Sequence, residues 1–221
     1  MKTFLLTIVV LTTSLVCVGQ AKKFTATLNP FSFLEPQAGF TPGIGYQIND
    51  RWAVYSDLGV IFYRAYQFSR NNNQKISGYK IKPAVRYFLE DQNTASKKAS
   101  LFFDVEGLFK RTKDFETGEL PISDNSGNLL YRYTGGWRSI RTIYGASIKI
   151  GYRFFLNEQK RFGADGYVGL GFRTGNQKNE GVPLGAPIGA NGVKSSAFNE
   201  DFLPGGRAPS FPGGLKFFYI F

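Results

Sequence analysis

The chain has 221 residues, with 27 Lys and Arg against 16 Asp and Glu, a formal charge of +11 and no histidine. That length suits one domain, and without imidazole the usual general base, the usual nitrogen ligand for a metal and every histidine-dependent triad are missing, which excludes most hydrolase chemistry. The basic balance would suggest nucleic acid in a cytosolic protein. The first residues argue for export instead, where positive charge meets lipid phosphates or carboxylates of the same molecule.

Residues 1–21 read as a secretory signal: Lys2 supplies the positive start, Phe4 to Val18 an uncharged and largely apolar stretch, and Gly19-Gln20-Ala21 a segment suited to cleavage. The apolar run is shorter than the roughly 18 to 20 residues of a membrane-spanning helix, and no other segment comes close. Cys17, the only cysteine, lies inside this signal, so residues 22–221 carry no thiol, disulfide or cysteine-metal site. Val16 before it fits poorly with a lipidated cysteine, which prefers a small residue there.

From residue 22 onward the pattern is period-two alternation broken by turn chemistry. It predicts an all-β, antiparallel up-and-down transmembrane barrel of about eight strands, over residues 24–34, 39–48, 51–66, 76–90, 100–111, 137–156, 162–174 and 211–221. Pro30 and Pro42 fall inside proposed strands, where the lost ladder donor predicts bulges or shorter strands. In the fourth strand Tyr79, Ile81, Pro83, Val85, Tyr87 and Leu89 alternate with Lys80, Lys82, Ala84, Arg86, Phe88 and Glu90. The fifth places Leu101, Phe103, Val105 and Phe109 opposite Asp104, Glu106 and Lys110, which share their face with Phe102 and Leu108. The sixth opposes Ile140, Tyr144, Ile148, Ile150, Tyr152 and Phe154 to Arg141, Ser147, Lys149 and Arg153, and the third opposes Trp52, Val54, Leu58, Val60 and Phe62 to Tyr55, Asp57 and Tyr63.

A soluble sandwich also alternates, so the aromatic residues decide which face is which. Twenty-two Phe and 12 Tyr exceed the needs of a core this size, and Tyr and Trp near strand ends suit two interfacial girdles with the apolar face toward lipid. The lumen then receives Asp57, Lys80, Lys82, Arg86, Glu90, Asp104, Glu106, Lys110, Arg141, Lys149, Arg153, Asp165, Arg173 and Lys216, nine positive and five negative. An eight-stranded lumen is just wide enough to be filled by side chains, so an ion-pair network is expected there. Uncompensated cations within it would call for water or an anion. Asp104 and Glu106 share a face two residues apart, close enough to raise one pKa, but nearby Lys80, Lys82 and Arg86 would push it back down, so catalysis is not expected. Gly166-Tyr167-Val168-Gly169-Leu170-Gly171 fails the spacing of a nucleotide loop and precedes no helix.

Short connections at 49–50, 91–99 and 157–161 alternate with long ones at 67–75, 112–136 and 175–210, as a barrel with periplasmic turns and surface loops requires. The connection at 35–38 is the exception, being short where a surface loop is due.

The chain ends Leu215-Lys216-Phe217-Phe218-Tyr219-Ile220-Phe221. This resembles the C-terminal signal of bacterial outer-membrane barrels, and the resemblance implies that Leu215, Phe217, Tyr219 and Phe221 serve recognition by the barrel-assembly machinery and barrel closure. The segments Asn29 to Pro36, Gly45 to Trp52 and Lys82 to Tyr87 are similar to small outer-membrane barrel proteins of Bacteroidota, many of unassigned function, with an architecture of the OmpA and OmpX type. That implies a cell outer-membrane location and lipid as the surrounding partner. No peptidoglycan-binding domain is visible after the barrel. The expected function is therefore a non-enzymatic structural or interaction role through the surface loops, with an envelope protein as a candidate partner, no nucleic acid, no metal and no cofactor. The alternatives are a narrow anion-favouring pore or transport accessory, and a secreted soluble β protein.

Overall fold

The computed structural model describes residues 24–33, 37–64, 76–90, 99–123, 126, 129–181 and 207–221. The expected signal at 1–21, and residues 182–206 of the expected 175–210 loop, lie outside them. Ten strand segments follow in order: β1 Phe24–Leu28, β2 Gln37–Phe40, β3 Pro42–Gln47, β4 Trp52–Arg64, β5 Ile76–Phe88, β6 Ala99–Ser123, β7 Leu129–Phe155, β8 Phe162–Glu180, β9 Arg207–Ser210 and β10 Gly213–Ile220. The only helical turn among the described residues is a 3-10 turn at Pro30–Phe33.

Every pairing is antiparallel, and each strand from β3 to β8 lies against its neighbour in sequence. β2 and β3 run end to end along β4, and β9 and β10 run end to end along β8, so ten segments make eight staves. Closure comes from β10, which pairs with β8 on one side and with β1 on the other through Thr25↔Ile220 to Leu28↔Phe217. The expected closed antiparallel barrel of eight strands is the fold observed.

Two turns show how the sequence shapes one rim. Asn49 Oδ1 accepts from Arg51 N at 3.0 Å and Trp52 N at 2.9 Å, and Asn157 Oδ1 accepts from Arg161 N at 2.9 Å and Phe162 N at 3.0 Å. Short Asn side chains bond their own following backbone and so stand in for a turn's missing ladder partners. The chain end lies at the same rim, where Ile220 N donates to Arg161 O at 2.7 Å and Phe221 N to Phe24 O at 3.0 Å.

Three expected boundaries are corrected. The first strand stops at Leu28 rather than residue 34, because Pro30 has no amide to donate and the chain turns there, with Ser32 N bonding Asn29 O. The expected 112–136 loop is largely a ribbon: Thr112 to Ser123 of β6 pair with Arg141 to Leu129 of β7. Strand β8 continues to Glu180 against Arg138, so the loop expected to begin at 175 begins later. Pro83 also leaves a mark, since β5–β6 pairing lapses between Ile81↔Phe109 and Ala84↔Glu106 and then resumes in the same register.

The core sits inside the cylinder, where Ala53, Tyr55, Ala84, Phe88, Phe102 and Tyr167 form one buried cluster. The outer wall is the reverse of a soluble surface, with Leu58, Val60, Val105, Ile148, Val168 and Leu170 all more than half exposed. Aromatic contacts bound this aliphatic belt. Near the short-turn rim Trp52 meets Tyr87 at 4.9 Å and Phe162 stacks on Phe217 at 6.4 Å. Toward the other end Tyr79, Phe109 and Tyr144 run around the wall in contact, 5.8 and 5.3 Å between successive ring centres.

Candidate functional site

Alternation on β4 to β8 and β10 turns the charged residues inward, and ten of the fourteen expected lumen charges are buried: Asp57, Lys80, Arg86, Asp104, Glu106, Lys110, Lys149, Arg153, Asp165 and Lys216. Lys82, Arg141 and Arg173 are half-buried on the same face, and Glu90 is half-buried just past the end of β5. Their arrangement is layered.

Nearest the short-turn rim, four charges form one network. Arg86 grips Asp104 with both prongs, Nε to Oδ1 at 2.7 Å and Nη2 to Oδ2 at 2.8 Å, and donates from Nη1 to Asp165 Oδ2 at 2.5 Å. Arg153 grips Asp165 in turn, Nε to Oδ1 at 2.8 Å and Nη2 to Oδ2 at 2.9 Å, while Nη2 also donates to the Tyr55 hydroxyl at 3.1 Å. The planar fork of Arg matches a carboxylate in two places at once, which is why this layer uses Arg rather than Lys.

Rings complete the layer. Arg86 lies 3.5 Å from the centre of Phe102 and 4.7 Å from that of Tyr55, and Arg153 lies 4.2 Å from Phe218 and 5.0 Å from Phe88. Arg153 Nη1 makes no hydrogen bond among the described residues, and the neighbouring π faces offer it a favourable, less directional contact. Phe102 reaches its place because Gly151 stands beside it: a Cβ there would lie 2.5 Å from Phe102 Cζ. Two guanidiniums and two carboxylates sum to zero charge, and the layer fills the lumen as a plug.

The next layer uses Lys. Lys216 pairs with Asp57, which also accepts from Thr27 Oγ1 at 3.3 Å, and Lys149 pairs with Glu106. Both ammonium groups approach Tyr167, Lys149 at 4.6 Å and Lys216 at 5.6 Å from the ring centre. Further toward the ribbon Lys80 and Lys110 face each other in register, Arg141 follows on β7 opposite Thr112, and Arg173 lies on β8 opposite Gly145. Asp114 joins this end with 3% of its surface exposed. Sequence reasoning placed Asp114 in a loop and missed it. Following the alternation past Lys110 through Thr112 would have found it.

The four terminal residues expected to serve assembly face outward. Tyr219 is exposed and Leu215, Phe217 and Phe221 are half-buried, while Lys216, Phe218 and Ile220 fill the inner face between them. Tyr219 packs edge-on against Phe221 at 5.2 Å.

Fold and lumen together define a class: a closed eight-stranded antiparallel barrel, greasy outside, whose interior is filled by its own ion pairs and rings. The chain belongs to the family described as "Protein of unknown function (DUF3575)", whose model matches residues 5–183. The match takes in β1 to β8 and stops before the strands that close the barrel. No curated protein matches the chain. Among solved structures, the crystal structure of Acinetobacter baumannii CarO2 is similar, at 10% identity and a TM-score of 0.40, covering 90% of this chain and 97% of that one.

Proposed function

We propose that the protein is a non-enzymatic, integral outer-membrane barrel with a sealed lumen, acting in a structural or interaction role through the β6–β7 ribbon and the surface segments beside it. The observation that carries this reading is the outer wall. On β5 and β7 the aromatic pairs Tyr79/Tyr87 and Tyr144/Tyr152 are each eight residues apart, with Ile81 and Val85, or Ile148 and Ile150, between them. Eight residues at about 3.4 Å span about 27 Å of strand, which a tilt of roughly 40° reduces to about 21 Å of height, close to the apolar band of such barrels. Closure pairs the first strand with the last over residues 25–28 and 217–220, which removes the strand edge along that stretch, as a bilayer interior demands.

In this reading outer-membrane lipid surrounds the wall, the terminal strand engages the assembly machinery, residues 1–21 are removed on export, and an envelope protein meets the ribbon. The basic lumen speaks for the alternative of a narrow anion-favouring passage, but the neutral Arg86–Asp104–Arg153–Asp165 plug weighs against it.

Gel migration tests the membrane reading. A folded barrel resists dodecyl sulfate until boiled, so the refolded chain is expected to run faster unboiled than boiled. Identical migration before and after boiling, with the chain recovered in the soluble fraction, would overturn the reading in favour of a secreted soluble protein.

A further inference from the structure

Just beyond the Tyr79–Phe109–Tyr144 ring contacts, the outer faces of β5 and β6 change character. Arg111 follows Phe109 by two residues and Lys113 by four, so both stay on the outer wall, and both are exposed. Arg111 lies opposite Tyr79 and Lys113 opposite Ser77 in the β5–β6 register. Ser77, Gly78, Tyr79, Arg111 and Lys113 line one open cleft of about 350 Å³. Among the described residues neither cation has an ion-pair partner, whereas Lys178 on β8 pairs with Glu180 at 3.3 Å. At about 3.4 Å per residue, Arg111 and Lys113 stand about 7 and 14 Å of strand beyond the Phe109 ring, the depth of a headgroup layer when the aromatic girdle marks the interface.

We propose that this cleft binds the phosphate groups of a lipid in the leaflet around the ribbon end of the barrel. Two uncompensated cations, a hydroxyl from Ser77 and the rim of an aromatic ring face a cleft that continues into the aliphatic belt. A phosphate can be held by Arg111 and Lys113 while the acyl chains of the same molecule lie against Ile81 and Val105. A free anion satisfies only half of that surface, so the site selects a phosphorylated lipid over phosphate alone. The proposal rests on the membrane reading above.

The full chain is inserted into phosphatidylcholine nanodiscs doped with diphosphoryl lipid A, and lipid retained on extraction is read by native mass spectrometry. The wild type is expected to retain the lipid A, whose phosphomonoesters are anionic where the phosphatidylcholine headgroup has no net charge, and the double variant Arg111→Gln with Lys113→Gln to retain about tenfold less, equivalent to about 1.4 kcal/mol. Arg132→Gln, at an exposed cation on the ribbon paired with Glu119 at 3.7 Å, is expected to retain as much as the wild type. Heat-modifiable migration checks that each variant is folded. Equal retention by the folded double variant would overturn the proposal, and so would displacement of the lipid by an equal concentration of inorganic phosphate. Failure of the wild type to insert even into undoped discs would overturn the membrane reading and this proposal with it, whereas insertion without lipid preference would overturn this proposal alone.

Discussion

Asp165 accepts from Arg86 and Arg153, three hydrogen bonds in all, and it is almost fully buried. Asp165→Asn keeps its shape while leaving Arg153 without a carboxylate and Arg86 with Asp104 alone. Removing one partner of a buried ionic network costs about 3–5 kcal/mol, because the remaining charge is neither solvated nor paired. That loss is expected in urea unfolding of the refolded barrel. The exposed Arg132–Glu119 pair should contrast, with Arg132→Ala changing stability by less than about 0.5 kcal/mol. Similar small losses at both positions would mean that the plug is solvated. Which residues turn inward was legible, since alternation alone puts Arg86, Asp104, Arg153 and Asp165 on one face. Which of them pair was not, because Arg86 and Asp165 sit on strands that do not touch in the sheet, 79 residues apart. Only the diameter of the closed cylinder brings them together.

Strands β6 and β7 outgrow the wall. Among the described residues their last pairings with neighbours are Asp114 with Ile76 and Arg138 with Glu180, and beyond these they pair with each other. A two-stranded ribbon on its own is marginally stable, and here it carries a small core in which Ile122 is packed by Tyr133 and Trp137. Replacing residues 116–137 with Asn-Gly would join Phe115 to Arg138, which already face each other, through a two-residue hairpin turn. The shortened chain is expected to keep its heat-modifiable migration, with an unfolding free energy within about 1 kcal/mol of the full chain in the same urea titration. Loss of the folded band would show instead that the ribbon is needed for closure. The ribbon was hidden in the sequence for a physical reason. It extends past the wall and encloses no lumen, so its residues need not alternate, and Gly118, Pro121, Gly127, Gly135 and Gly136 read as loop chemistry. The wall strands were legible because the apolar outer face and the charged inner face alternate at every second residue.

At the scale of the molecule, closure depends on four residue pairs between the first strand and the last, and the plug stands at the same end as that seam. Alternation and turn spacing gave the number of staves. The seam itself joins opposite ends of the chain: the terminal aromatic strand implied closure, but no local pattern reports its register with β1. If the plug is the seal, it should open when a neutral pair is taken out of it. Arg86→Ala with Asp104→Ala removes one positive and one negative charge together and leaves Arg153 bonded to Asp165, so no buried charge is orphaned. The remaining inner face would still carry eight positive charges, Lys80, Lys82, Lys110, Arg141, Lys149, Arg153, Arg173 and Lys216, against Asp57, Glu90, Glu106, Asp114 and Asp165. In planar bilayers the wild type is therefore expected to stay silent and the double variant to show reproducible steps that favour anions. Steps from the wild type would overturn the sealed lumen and restore the pore. Silence from a double variant shown to be folded would place the constriction elsewhere, at the lysine layer around Tyr167, where Lys149 and Lys216 converge on one ring.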